Sequence, residues 1–162
     1  MIEGYRYWLT VAGAAGSGLI GGLFFAFSSF AMSGLRRLPG RQGLVAMQSI
    51  NTAANASPGL LVGLLGTGAL CVAIAVPALG DLDRPASRYQ LAASLLYLVG
   101  AIGVTAAYHI PKNNALDRVD PDSAGAVATW EHYAATWTAG NHVRTVLPLA
   151  AAVCFALALR AR

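Results

Sequence analysis

An all-α fold, an integral-membrane antiparallel four-helix bundle, follows from three features of the sequence. Hydrophobic residues fill 56% of its 162 positions and charged ones only 11%, against about 25% charged in an ordinary soluble domain. Apolar runs of about 20 residues recur, the length an α-helix needs to cross a hydrocarbon layer. The 11 lysines and arginines lie almost wholly outside those runs, so the basicity reads as membrane topology, and no nucleic-acid partner is expected. Because only helices satisfy backbone groups in lipid at these lengths, one domain is expected over residues 1–162. Its spans fall near 8–33, 58–79, 89–110 and 142–160, with short helices in the two long connections and the lipid bilayer as surroundings.

The first span is too long for the apolar core of a signal peptide and has no strongly basic segment ahead of it, so it reads as a retained helix. Gly13, Ser17 and Gly21 recur at four-residue spacing, a pattern that lets helix backbones approach closely. The linker opens with Gly34-Leu35-Arg36-Arg37-Leu38-Pro39 and continues as a short amphipathic helix, in which Met47, Asn51 and Asn55 share a face and Gln48 stands three residues before Asn51. That amide-rich face is either solvated at the interface or folded back over the bundle mouth so that Gln48 and Asn51 line a site.

Ser57 before Pro58 is a helix start, with serine as N-cap and proline at the first helical position; Pro77 closes this second span near Leu79, and its Gly59, Gly63 and Gly66 favour tight contacts. The turn Gly80-Asp81-Leu82-Asp83-Arg84-Pro85 is short enough to make spans two and three antiparallel neighbours. Pro111 biases Ile110 out of the helical region and should end span three just after Tyr108 and His109. Beyond it, Ser123 is a candidate cap for a helix carrying Trp130, Glu131, His132, Tyr133 and Trp137. Either that helix stops at Gly140 and Asn141 caps the fourth span, or it continues through Gly140 and sets Trp137, Asn141, Arg144 and Thr145 on one face.

Four spans put the termini on one side and the long connections on the other. His109, His132, His142, Asn51, Asn55, Asn113, Asn114, Asn141, Glu131 and Arg144 all fall on the side of the connections, so one mouth of the bundle holds the candidate site. The charge count around the spans is nearly even, and the arginines after the first span lean toward termini outside and a site facing the cytoplasm. An arginine at the edge of an apolar segment is costly, of order 2.5–3.5 kcal/mol at mid-bilayer on insertion scales. Arg144 therefore requires a partner: an acid such as Glu131 or Asp117, or an anionic ligand.

The histidine spacings match no local metal motif such as HExxH. A metal set of His109, His132 and His142 is an alternative to plain hydrogen bonding and acid–base work. Tyr108, Trp130, Tyr133 and Trp137 read either as an interfacial belt or as walls for a flat aromatic ligand. Cys71 and Cys154 lie in apolar runs and form no ligand spacing. A proton-coupled carrier wants an acid within a span, and the four predicted spans contain no Asp or Glu.

Taken together, Phe30-Ala31-Met32-Ser33-Gly34-Leu35-Arg36-Arg37-Leu38-Pro39, Met47-Gln48-Ser49-Ile50-Asn51, Pro111-Lys112-Asn113-Asn114-Ala115-Leu116, and Trp137 leading to Asn141-His142-Val143-Arg144-Thr145 resemble the anthrone oxygenase family over nearly the whole chain. Ser33 and His109 depart from its usual proline and asparagine. The resemblance implies oxidation of an anthrone, or a related phenolic aromatic, by molecular oxygen with no flavin or metal. In that scheme His109 or His142 is the base, and Arg144 stabilises the enolate. Gln48, Asn51, Asn113, Asn114, Trp137 and Asn141 contact a hydrophobic aromatic small molecule. The competing expectation is a non-catalytic membrane protein whose polar cap is a structural latch, or a binding or transport accessory.

Overall fold

The computed structural model describes residues 4–161. Five helices build it: α1 (Tyr5–Arg36), α2 (Gly40–Asn55), α3 (Pro58–Leu79), α4 (Pro85–Leu116) and α5 (Ala126–Arg160). All but α2 are long and apolar enough to cross a membrane. The four long helices close into a ring in which α1 packs on α5, α5 on α4, α4 on α3 and α3 on α1. Ring neighbours run antiparallel, and the end at which α1 and α4 both begin is the end where α3 finishes. There Arg6 of α1 donates to Gln90 of α4 at 3.1 Å and lies 3.7 Å from Asp81 in the α3–α4 turn.

Two apolar clusters stack along the bundle. The lower one joins Ile20, Phe24, Ile74, Tyr97 and Phe155 across all four long helices, and the upper one joins Met32, Leu44, Met47, Leu116, Trp130 and Trp137 around α2. Small residues bring the helices close where the α1 pattern requires it. A methyl group added at Gly21 would lie 2.9 Å from Leu149, and one at Gly13 would lie 3.0 Å from Ile74. On α3, Gly59 and Gly66 meet no neighbouring helix within 4 Å, whereas a methyl group at Gly63 would lie 3.4 Å from Ile20 and one at Gly68 3.4 Å from Ile102, ordinary contacts between helices. The close approaches fall at Gly16 on Thr67, Gly100 on Leu147 and Gly140 on the Tyr108 ring.

Ser57 caps α3, accepting from the Leu60 amide at 3.3 Å with Pro58 at the first helical position. Pro77 lies inside α3, which runs on to Leu79. Neither Pro111 nor Gly140 ends a helix. A π-helical turn over Thr105–His109 precedes Pro111 and leaves the proline in the first turn of the α-helical segment Ile110–Leu116, where its missing N–H is least needed. The helix of the second connection is present but begins at Ala126, capped by Gly125 and not by Ser123, and runs unbroken through Gly140 to Arg160.

Further π turns lie at Phe27–Ala31, Val62–Gly66 and Leu98–Gly103. A wider turn disturbs the regular carbonyl ladder, and polar side chains take up carbonyls at three of the four. Asn141 donates to Phe24 O at 2.8 Å, Tyr97 to Leu64 O at 2.9 Å, and His109 Nδ1 lies 3.3 Å from Val104 O.

At 22 residues α3 measures about 33 Å, near the hydrocarbon thickness, whereas α1, α4 and α5 have 32, 32 and 35 residues. The three longer helices rise past α3 on the side of the long connections, and α2 packs against them. Gln48 fixes it there by donating to the carbonyls of Leu116 and Val119 at 2.9 and 3.0 Å, just where α4 ends. Arg41 on α2 pairs with Asp122 at 2.7 Å, and that guanidinium holds the exposed Asp122 carboxyl below its usual range. The pair's small contribution is therefore present above the ordinary carboxylate range and is lost as pH falls through the depressed value. Replacing Gln48 by alanine is expected to cost about 1–2 kcal/mol by removing two hydrogen bonds at a helix end. Faster hydrogen exchange in α2 with little change in α3 would register it; unchanged exchange in α2 would show that the latch is idle.

Candidate functional site

All five helices contribute to one cavity of about 180 Å³ near the upper end of α3. Leu23, Phe24 and Phe27 come from α1, Met47, Ile50, Asn51 and Asn55 from α2, and Leu60, Leu61 and Leu64 from α3. α4 adds Thr105, His109, Ile110 and Asn113, and α5 adds Trp137 and Arg144. A mostly apolar wall with a few polar groups is the usual make-up of a small-molecule site. Leu61 and Ile110 are about half exposed and mark the rim, whereas Phe24, Met47 and Trp137 are buried.

Arg144 is the strongest chemical feature of this cavity. Only 5% exposed, its guanidinium lies 4.3 Å from the centre of the Phe24 ring and 5.0 Å from that of Trp137, where the aromatic faces attract the cation. Nε and Nη2 donate to Asn141 Oδ1 at 3.1 and 2.8 Å, and Nη1 donates to Thr105 Oγ1 at 3.3 Å. One N–H on each terminal nitrogen remains uncommitted among the described residues. No carboxylate among those residues is within ion-pair distance of it. The latch to Glu131 or Asp117 does not form: Glu131 is exposed, and Asp117 accepts from Asn51 Nδ2 at 2.9 Å.

The continuous helix sets Trp137, Asn141, Arg144 and Thr145 on one buried stripe. Asn141 holds the arginine from behind and does not line the cavity. Its Nδ2 donates to Phe24 O and to Ser28 Oγ, both at 2.8 Å, and its Oδ1 is taken by Arg144. Thr145 extends the network, 3.0 Å from Ser28 Oγ and donating to Asn141 O at 3.0 Å. Across the cavity Asn113 Oδ1 accepts from Tyr133 and from Trp137 Nε1, each at 2.9 Å. Trp130, Tyr133 and Trp137 form a buried, loosely stacked row, and so build the core and one cavity wall in place of an interfacial belt. Tyr108 stays at the surface and donates to Thr136 O at 2.9 Å.

The histidines separate. His109 borders the cavity from behind Trp137, edge-on to it with ring centres 5.1 Å apart, and has no exposed surface. Nδ1 faces Val104 O and Nε2 faces Trp137 O, both at 3.3 Å, so each ring nitrogen is turned to backbone. His132 and His142 are exposed on the outside of α5. His142 adjoins Asn141 in sequence but sits about 100° away around the helix, too far round to act as a base in this cavity. The three do not converge, and among the described residues no group of three His, Cys, Asp or Glu side chains could hold a metal. Replacing His142 by alanine is expected to leave activity and stability within about 0.5 kcal/mol of the parent. A tenfold loss of turnover would overturn this placement.

Of the other residues expected at the site, Asn51, Asn113 and Trp137 line the cavity. Gln48 is consumed by the end of α4, and Asn114 is exposed. The sequence reading missed Phe24, Phe27, Ser28 and Thr105. Thr105 and Ser28 stand out only as hydroxyls within apolar runs. The phenylalanines carry no signal, because apolar residues in a membrane span are unremarked.

A model of the family described as anthrone oxygenase matches residues 47–154. That stretch carries every cavity residue except Leu23, Phe24 and Phe27. No curated protein and no solved structure matches.

Proposed function

The chain belongs to the anthrone oxygenase family, and from that premise we propose that it is a membrane-embedded oxygenase acting on an anthrone or a related polycyclic phenol. The reaction converts a ring methylene and molecular oxygen to a ring carbonyl and water. The observation that carries this reading is a buried arginine with two uncommitted N–H groups, no carboxylate partner among the described residues, and aromatic walls.

An anthrone exchanges with its phenolic tautomer, and loss of that tautomer's proton leaves charge shared between the oxygen and the former methylene carbon. Arg144 receives the oxygen in two hydrogen bonds and favours the anion in a site where solvent competes little. With both nitrogens of His109 turned to carbonyls and His142 outside, the proton passes to water at the cavity mouth. The carbon of the anion gives one electron to oxygen, the resulting pair joins as a peroxide on that carbon with uptake of a proton, and loss of water leaves the carbonyl. The protein's part is to stabilise the oxyanion and keep the electron-rich ring in a dry, shaped cavity. The test is oxygen uptake by purified protein with a panel of anthrones, expecting one oxygen consumed per quinone formed. Rates no faster than the uncatalysed reaction across the panel would sink the reading.

A further inference from the structure

Two asparagines of the cavity have amide orientations that their partners settle. Trp137 Nε1 is a donor and never an acceptor, so the Asn113 atom 2.9 Å from it is the amide oxygen. Tyr133 donates to that same oxygen. The Asn113 Nδ2 group is left without a partner among the described residues, on a side chain that lines the cavity. Asn51 is settled the other way. The Asp117 carboxylate is an acceptor, so Asn51 presents Nδ2 to it and keeps Oδ1 uncommitted among the described residues. Neither leftover atom is sealed off from solvent, since the buried side-chain polar atoms lacking partners are Ser17 Oγ and Ser94 Oγ.

One cavity thus presents an arginine fork, an amide donor and an amide acceptor. We infer that Asn113 and Asn51 are specificity-determining residues for a polyoxygenated ligand: a flat polycyclic aromatic bearing, besides the oxygen held by Arg144, an oxygen acceptor for Asn113 and a free hydroxyl donor for Asn51. A ring system lacking those groups leaves both amides unpaired on being buried, which a site built to hydrogen-bond its ligand penalises. Asn141 takes no part, because its donor and acceptor are both consumed within the protein.

The inference rests on the oxygenase reading for its ring system but is tested by binding, without turnover. Under argon, the tryptophan fluorescence of the purified protein in detergent is titrated with two probes: unsubstituted anthrone, and a dihydroxyanthrone whose hydroxyls stand on ring carbons remote from the carbonyl, so that neither is tied up in a hydrogen bond to it. The dihydroxy probe is expected to bind about tenfold more tightly. In Asn113→Asp, which keeps the acceptor for Trp137 and Tyr133 but lacks the N–H donors, and in Asn51→Leu, the ratio of the two dissociation constants should fall toward one. Using the ratio cancels any general change in the cavity. Equal affinities in the unmodified protein would overturn the inference while leaving the role of Arg144 standing, and so would a ratio unchanged in both variants. Preference for the dihydroxy probe with no oxygen uptake in air would support the inference and defeat the oxygenase reading. Failure of both probes to bind would defeat both.

Discussion

Arg144→Lys is expected to fold as the parent does and to lose about 100-fold or more in oxygen uptake. Lysine keeps the charge, so the buried site still holds one cation between Phe24 and Trp137. What it loses is the planar fork: the guanidinium spends Nε and part of Nη2 on Asn141, part of Nη1 on Thr105, and retains one uncommitted N–H on each terminal nitrogen among the described residues, the pair that the proposed scheme gives to the oxyanion. An ammonium group gives three donors from one atom and cannot span Asn141, Thr105 and an oxyanion in that geometry. Losing one donor to a developing oxyanion costs about 10²–10³ in turnover in other enzymes, which sets the scale. Thermal unfolding in detergent, run beside the oxygen assay, separates chemistry from folding. A variant that melts early while its folded fraction keeps full specific activity would remove Arg144 from the catalytic scheme.

Asn141→Ala should do the opposite, striking stability first. The side chain accepts twice from Arg144 and donates to Phe24 O and Ser28, so its loss strips a buried cation of its main acceptor and leaves Phe24 O, beside the α1 π turn, to the Phe27 amide. Hydrogen bonds between membrane helices average about 0.6 kcal/mol and reach about 1.7, whereas leaving a buried charge uncompensated costs about 3–5 kcal/mol. A loss of about 2–4 kcal/mol is expected, read as a lowered midpoint of unfolding in detergent. Asn141→Asp should recover much of it, because a carboxylate still accepts from both arginine nitrogens, yet it should lose activity by supplying the counter-ion that the ligand otherwise provides. A stable and fully active Asn141→Asp would refute this account of the site.

The spans were legible because apolar run length is read directly from composition, and the α5 stripe was legible because positions three and four apart share a helix face. The departures have local physical causes. Pro111 marks a helix end by its own chemistry, but the π turn before it absorbs the missing bond and lets α4 continue to Leu116. With turns at Leu98–Gly103 and Thr105–His109 in succession, a steady 3.6-residue period assigns no face to His109 or Asn113. The Asn141–Thr145 motif that carries the family resemblance makes His142 a candidate base, yet neighbours along a helix look in different directions. Gln48 and Asn51 both lie on α2, and only the fold shows that one is spent holding the end of α4 while the other reaches the cavity.

The short α3 has a kinetic consequence. Under the proposed function, with the four long helices crossing a bilayer, the rim at Leu61 and Ile110 opens beside the end of the shortest of them, α3, so a lipophilic ring compound is expected to reach it from the lipid in which it is already concentrated. The quantity that saturates the protein is then the mole fraction of ligand dissolved in the membrane, not its concentration in water. Diluting a reconstituted sample with empty vesicles, at constant total ligand and protein, should lower the rate. Adding buffer alone should leave it nearly unchanged per protein, as expected of a catalyst that draws its substrate from two dimensions.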